Sequence, residues 1–147
     1  MNCKELMTPN PKVCTPGMTS EEAATIMGQE NVGVLPVIDG TTKKLIGIVT
    51  DRDLCLGVIA KGHSPAEVHV SDCMSTHLLT CGPQDDVQYC EQLMKHHQIR
   101  RIVVIDEHGC CMGIISQGDL ALYIEGGDEI HDTLREVSKP GHAKRAA

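Results

Sequence analysis

The octapeptide GIVTDRDL spans Gly47–Leu54, and GIISQGDL spans Gly113–Leu120. Each copy keeps a glycine, a small hydroxyl residue three positions on, and an aspartate three positions after that. These are Gly47, Thr50 and Asp53 in the first copy, and Gly113, Ser116 and Asp119 in the second. An apolar run that reaches a hydroxyl residue, with a carboxylate at the third position after it, reads as a strand ending in a capped helix. Two questions follow: whether the chain is a duplication, and whether hydroxyl and carboxylate serve the helix alone or a ligand as well.

Working outward, Met7 and Met74, Cys14 and Cys81, Pro16 and Pro83, Met27 and Met94, and Asp39 and Asp106 all lie 67 residues apart. Gly47 and Gly113, Asp53 and Asp119, and Leu54 and Leu120 lie 66 apart. One residue is therefore lost around the stretch DGTTKK (Asp39–Lys44) or its equivalent, DEHGC, which reads as a turn and tolerates the loss. The period fits one small domain used twice. In the first copy Lys12–Thr15 reads as a short strand. Thr19 and Glu22 form a capping box that opens a helix in which Ala23, Ile26 and Met27 share a face. VLPVI (Val34–Ile38) reads as a buried strand that Pro36 demotes toward an edge. LIGIV (Leu45–Val49) reads as a strand, and Asp51–Lys61 as a helix. The second copy repeats this order with LLTC, a helix over Val87–His97, IRRIVVI, MGIIS and a helix from about Gln117. The expected domains are residues 3–62 and 70–125, followed by a C-terminal helix and basic tail over 126–147.

Composition narrows the function classes. With no Phe, no Trp and two tyrosines, the chain lacks aromatic platforms for stacking bases. A net charge of −7 also speaks against a phosphate-backbone binder, so no nucleic-acid partner is expected. The start, MNCKELMTPNP, carries no apolar run of signal-peptide length, and no stretch is long enough to span a membrane. The expectation is a cytoplasmic protein without a membrane partner. The eight cysteines include no C-x-x-C pair. Cys55, Cys73 and Cys90 sit in apolar patterns where thiols act as small hydrophobes. A metal or redox site built from Cys73 and His77, or from His108, Cys110 and Cys111, is the sharper alternative, but no four-ligand spacing supports it. No nucleophile–base pattern and no G-x-x-x-x-G-K loop occurs, so no enzyme is expected.

LMTPNP, NVGVLPVID and GIVTDRDL, followed by HHQIRRIVVID and GIISQGDL, resemble a tandem pair of CBS domains, a Bateman module, over about residues 3–125. The resemblance implies an α+β fold of two β-α-β-β-α repeats packed through their sheets with pseudo-twofold symmetry. It also implies adenosine-type ligands such as AMP, ATP or S-adenosylmethionine in clefts between repeats, frequent homodimerisation, and no catalysis by the module. A prosthetic cofactor is not implied.

The repeated triplet supports both of its readings. A Thr-x-x-Asp capping box stabilises a helix by about 1 kcal/mol on its own. The same carboxylate can accept both hydroxyl protons of a ribose diol, and N–H groups at a helix start suit a phosphate. In the resembling family the matching hydroxyl and Asp residues contact the ribose, which makes Thr50 with Asp53 and Ser116 with Asp119 the candidate pairs. Arg100 and Arg101 occupy the positions of Gly33 and Val34, and the family pattern joins them to the Asp53 cleft as phosphate ligands, where Arg52, next to Asp53 in sequence, is expected to add charge. The other cleft would combine Asp119 with Asn31, Gly33 and Val34 and has Gly118 in place of Arg52. Val13, Val34, Pro36 and Val103 are candidate walls for the base. The leading expectation is a sensor of an adenine nucleotide acting through dimer contacts or a separate effector protein. A nucleotide-independent interaction scaffold and a Cys/His redox or metal sensor are the alternatives.

Overall fold

The computed structural model describes residues 1–123 and 129–139. Its elements in chain order are α1 (Cys3–Leu6), β1 (Thr8–Pro9), α2 (Ser20–Glu30), β2 (Val34–Ile38), β3 (Leu45–Thr50), α3 (Asp51–Leu54), α4 (Val70–Cys73), β4 (Thr80–Cys81), α5 (Val87–His97), β5 (Arg101–Ile105), β6 (Cys111–Ser116), α6 (Gln117–Tyr123) and α7 (Glu129–Ser138). The α+β class expected from the sequence is what these elements form. The C-terminal helix is present as α7, whereas the basic tail beyond residue 139 lies outside the described residues.

Two compact units divide the chain, and neither is a simple half. The first holds Met1–Pro9, Leu79–Val104 and the described residues from Gly113 on; the second holds Asn10–Leu78 and Ile105–Met112. Each repeat thus lends its leading helix to the unit built around the other repeat. In the first unit the N–H groups of Cys3 and Lys4 donate to Asp85 and Pro83 carbonyls at 2.8 and 3.0 Å. In the second unit Val70 and Ser71 donate to Met18 and Pro16 at 2.8 and 3.1 Å, the matching partners one repeat earlier. Cys3 and Val70 are fully buried at equivalent places in the two cores.

Within the second unit, β2 and β3 form an antiparallel hairpin with Val34 opposite Thr50 and Val37 opposite Gly47, and a bulge follows at Val37/Ile38. The expected strand at Lys12–Thr15 reduces to one parallel bridge from Cys14 to Val37, because Pro16 and Gly17 turn the chain at once. In the first unit the same arrangement is a four-stranded sheet in the order β1-β6-β5-β4, with Thr80 beside Val103 and Thr8 beside Ile114. The length difference between repeats falls in the turn. Asp39 N–H bonds the Lys44 carbonyl, whereas Asp106 N–H bonds that of Cys110, one residue nearer. In both turns the aspartate carboxylate gathers backbone N–H groups, which hold its pKa below the ordinary value: Thr42 and Thr41 for Asp39, Cys110 and His108 for Asp106.

The helices follow their caps. Thr19 and Glu22 exchange both bonds of the capping box, at 3.1 and 2.8 Å. α2 ends at Asn31 and α5 at Gln98, both left-handed, with φ of 54° and 55°. The helix expected over Asp51–Lys61 is α-helical only to Leu54 and then continues as a π-helical turn, Cys55–Ile59. Gly57, a weak helix former, lies in that turn where the Cys73 sulfur stands 3.0 Å from the position of an added Cβ. Leu54 and Val58 face inward at helical spacing, which turns Cys55 outward; it is exposed rather than packed.

Candidate functional site

Both repeats build the same junction where a strand runs into a helix. Thr50 is extended, and its Oγ1 accepts the Asp53 N–H at 3.1 Å while Asp53 Oδ2 accepts the Thr50 N–H at 2.8 Å. Ser116 Oγ accepts the Asp119 N–H at 3.2 Å, and Asp119 Oδ2 accepts the Ser116 N–H at 2.7 Å. The cap is therefore present in both copies, and it employs only one carboxylate oxygen. Among the described residues Asp53 Oδ1 and Asp119 Oδ1 accept no hydrogen bond.

The hydroxyl protons distinguish the two junctions. Ser116 donates its proton back to Asp119 Oδ2 at 2.7 Å, which closes the pair on itself. Thr50 only accepts, and among the described residues its hydroxyl donates to nothing. The first junction therefore offers a free donor beside a free carboxylate oxygen, both half-buried. A vicinal diol, whose hydroxyls donate and accept, matches that pair.

The backbone N–H groups expected to be open for phosphate are engaged at the first junction. Asp51 N–H donates to the Gly33 carbonyl at 3.0 Å, Arg52 N–H to Asp51 Oδ1 at 2.9 Å, and Asp53 N–H to Thr50. Sequence reasoning missed Asp51, whose carboxylate lies 2.8 Å from where a Cβ on Gly33 would stand. Its signal was an acidic residue at the first helical position, next to the dipole's positive end. At the second junction Gln117 N–H bonds the Arg100 carbonyl at 2.9 Å. Ser138 of α7 stands 3.4 Å from an added Cβ on Gly118, so the C-terminal helix crowds that junction.

The remaining candidates divide by exposure. Arg52 and Arg100 are exposed and Arg101 half-buried, and among the described residues none pairs with a carboxylate. Gly33 and Val13 are half-buried, beside the start of β2 and just before the Cys14 bridge. Val34, Pro36 and Val103 are buried strand residues. Asn31 is the exposed left-handed cap of α2. A groove of about 380 Å³ between α2 and the π-turn, lined by Ala24, Leu54, Val58 and Ile59 among others, contains none of these residues.

Among the described residues neither Cys73 with His77 nor His108 with Cys110 and Cys111 belongs to a set of three clustered ligand atoms. Among the described residues the one set of three potential ligands within reach of each other is Cys3, Cys81 and Cys90. They are scattered in sequence, so no spacing signal could reveal them.

A family model described as "CBS domain" matches residues 3–59 and again 70–126. The chain belongs to the CBS-domain family. As a CBS-domain pair it is 36% identical over 135 residues to the CBS domain-containing protein YhcV of Bacillus subtilis, covering 92% of this chain and 94% of that protein. Its fold also matches the crystal structure of Hypoxic Response Protein I with two coordinated zinc ions, at TM-score 0.76 and 25% identity over 85% of this chain and all of that one. CBSX2 in complex with AMP matches at TM-score 0.70 and 26% identity, over 81% of this chain and 92% of that one. The pair also recurs inside an enzyme: it is 27% identical to less than a quarter of an inosine-5'-monophosphate dehydrogenase of Streptococcus pyogenes. No helix among the described residues is long and apolar enough to cross a membrane.

Proposed function

We propose that this CBS pair is a regulatory module that binds an adenosine-containing nucleotide, with Thr50 and Asp53 as its ribose ligands. The observation that carries the reading is the open hydroxyl of Thr50 beside the unused Oδ1 of Asp53. An acceptor-only oxygen and a free O–H together satisfy a ribose diol without undoing the cap. The AMP complex of CBSX2 supports the choice of ligand. Ser116 and Asp119 form a weaker site, since their hydroxyl proton must first leave its partner and Ser138 lies close by.

Arg52 is the proposed phosphate ligand nearest the strong junction in sequence, and Arg100 and Arg101 are the further candidates; the backbone N–H groups of α3 are already used. Val13, Val34, Pro36 and Val103 are proposed to border the base, and Asn31, Gly33 and Val34 are proposed to go with the Asp119 site. Output passes through a homodimer or a separate effector. A ligand that binds only the folded state raises stability by about 2.7 kcal/mol at a hundredfold excess over its dissociation constant. Thermal-shift measurements with adenosine, AMP, ADP, ATP and S-adenosylmethionine test the reading. At least one of these ligands raises Tm, and Arg52→Ala narrows any margin of AMP over adenosine. Absence of a shift with all of them at millimolar concentration refutes the reading and leaves the interaction scaffold.

A further inference from the structure

Cys3 on α1, Cys81 on β4 and Cys90 on α5 meet in the core of the first unit with their three sulfurs all within 4.8 Å of one another. Cys3 and Cys90 are fully buried and Cys81 is 3% exposed. The duplication provides an internal control. The equivalent places in the second unit hold Val70, Cys14 and Ala23, equally buried in the corresponding core. The fold therefore fills this spot with one thiol and two hydrocarbon side chains. Packing alone does not call for three thiols in the other copy.

We propose that Cys3, Cys81 and Cys90 form a three-coordinate site for a cuprous ion. Metal–thiolate bonds of about 2.3 Å set three sulfurs ~4 Å apart in a trigonal plane, which fits inside the observed span. Soft thiolates select soft ions. Structural zinc takes four ligands, and among the described residues no His, Asp or Glu side chain completes this set. Cuprous ion, with no ligand-field preference, accepts three sulfurs and no fourth donor. Three thiol protons leave to water as three Cu–S bonds form, so the loaded site carries two negative charges.

Entry does not require unfolding of the core. α1 is four residues long and packs on this core through Cys3, so its local opening uncovers Cys81 and Cys90. A bound ion then ties α1 to β4 and α5.

The test titrates the reduced full-length chain, without oxygen, with Cu(I) held by the competing chromophore bicinchoninate. Cys3→Val/Cys90→Ala converts the cluster to the set that the second unit already packs. Cys55→Ser/Cys110→Ser removes two thiols outside it. The wild type and the second variant withdraw a tightly held cuprous ion that the first variant leaves behind, and X-ray absorption of the loaded protein shows sulfur ligands only. Copper also slows hydrogen exchange of the Lys4 and Met7 amides by at least about tenfold, since an ion binding only the closed form stabilises it by mass action; this readout needs no variant. Equal copper uptake by the Val/Ala variant, unchanged exchange in the loaded wild type, or nitrogen and oxygen ligands in the absorption spectrum each overturn the proposal. So does uptake of Zn(II) at these cysteines in preference to Cu(I).

Discussion

Three glycines show how much a single hydrogen atom decides at the residue scale. An added Cβ on Gly113 would stand 2.8 Å from the Thr8 carbonyl oxygen and against the Met7 sulfur. On Gly47 it would meet the Met74 sulfur at 2.8 Å and the Ser75 carbonyl at 3.1 Å. Methionine can swing aside, but the paired backbone cannot. On Gly33 the obstacle is the tip of an exposed Asp51 side chain. Gly113→Ala is accordingly expected to destabilise by about 1–3 kcal/mol through overpacking, and Gly33→Ala by less than about 1. Urea denaturation of the two variants checks the order. A glycine inside an apolar strand pattern marks a place of close approach, as at Gly47 and Gly113. What approaches them is not legible in the sequence, because Met7 and Met74 arrive from segments far away in sequence. The same limit applies to Thr50 and Ser116: sequence marks both as caps, but only coordinates show that one hydroxyl proton is free and the other is used.

Elements that carry their own punctuation were readable in advance. The Thr19/Glu22 box, the apolar runs of β2 and β5, and the Asp39 and Asp106 turns all depend on neighbours within a few residues. The leading helices α1 and α4 are four residues each, too short to show periodicity, and their stability comes from packing on the other repeat's core. That placement has a measurable consequence. Removing residues 1–6 deletes Cys3 and uncovers Cys81 and Cys90, while the second unit keeps Val70 in place. Hydrogen exchange of the truncated chain should therefore show lost protection concentrated in α5, β4 and β5, with β2 and β3 little changed. Uniform loss across both units would contradict the exchange of leading helices. The π-turn after α3 escaped the sequence pattern, because the apolar spacing of Leu54 and Val58 does not distinguish an α from a π continuation; Gly57 lies in it with the Cys73 sulfur 3.0 Å from the place of an added Cβ.

For the whole molecule, the duplication was the most legible property, since two constant offsets survive wherever the cores match. Its cores are aliphatic and thiol-rich, which gives the stability an alkaline limit. Burial pushes the Cys14 thiol up to about 11, whereas an unfolded cysteine ionises near ~8.5. Above that lower value the unfolded chain gains by losing a proton that the folded chain retains. Stability present at neutral pH is therefore lost progressively as pH rises toward 11. Urea midpoints at pH 7 and pH 10 should differ less for Cys14→Ala than for the wild type, although the variant is weaker at pH 7.

The central claim is that the Asp53 junction holds the ribose of a nucleotide while also capping its helix. Titration calorimetry of AMP into the wild type, Asp53→Asn and Asp119→Asn isolates it. An asparagine can keep the cap's acceptor, but then it turns an NH₂ toward the ligand where the diol needs an oxygen. Asp53→Asn is predicted to weaken AMP binding at least tenfold, a loss of about 1.4 kcal/mol, with Tm in the absence of ligand nearly unchanged, and Asp119→Asn to weaken it less. Equal affinity in wild type and Asp53→Asn would contradict the account.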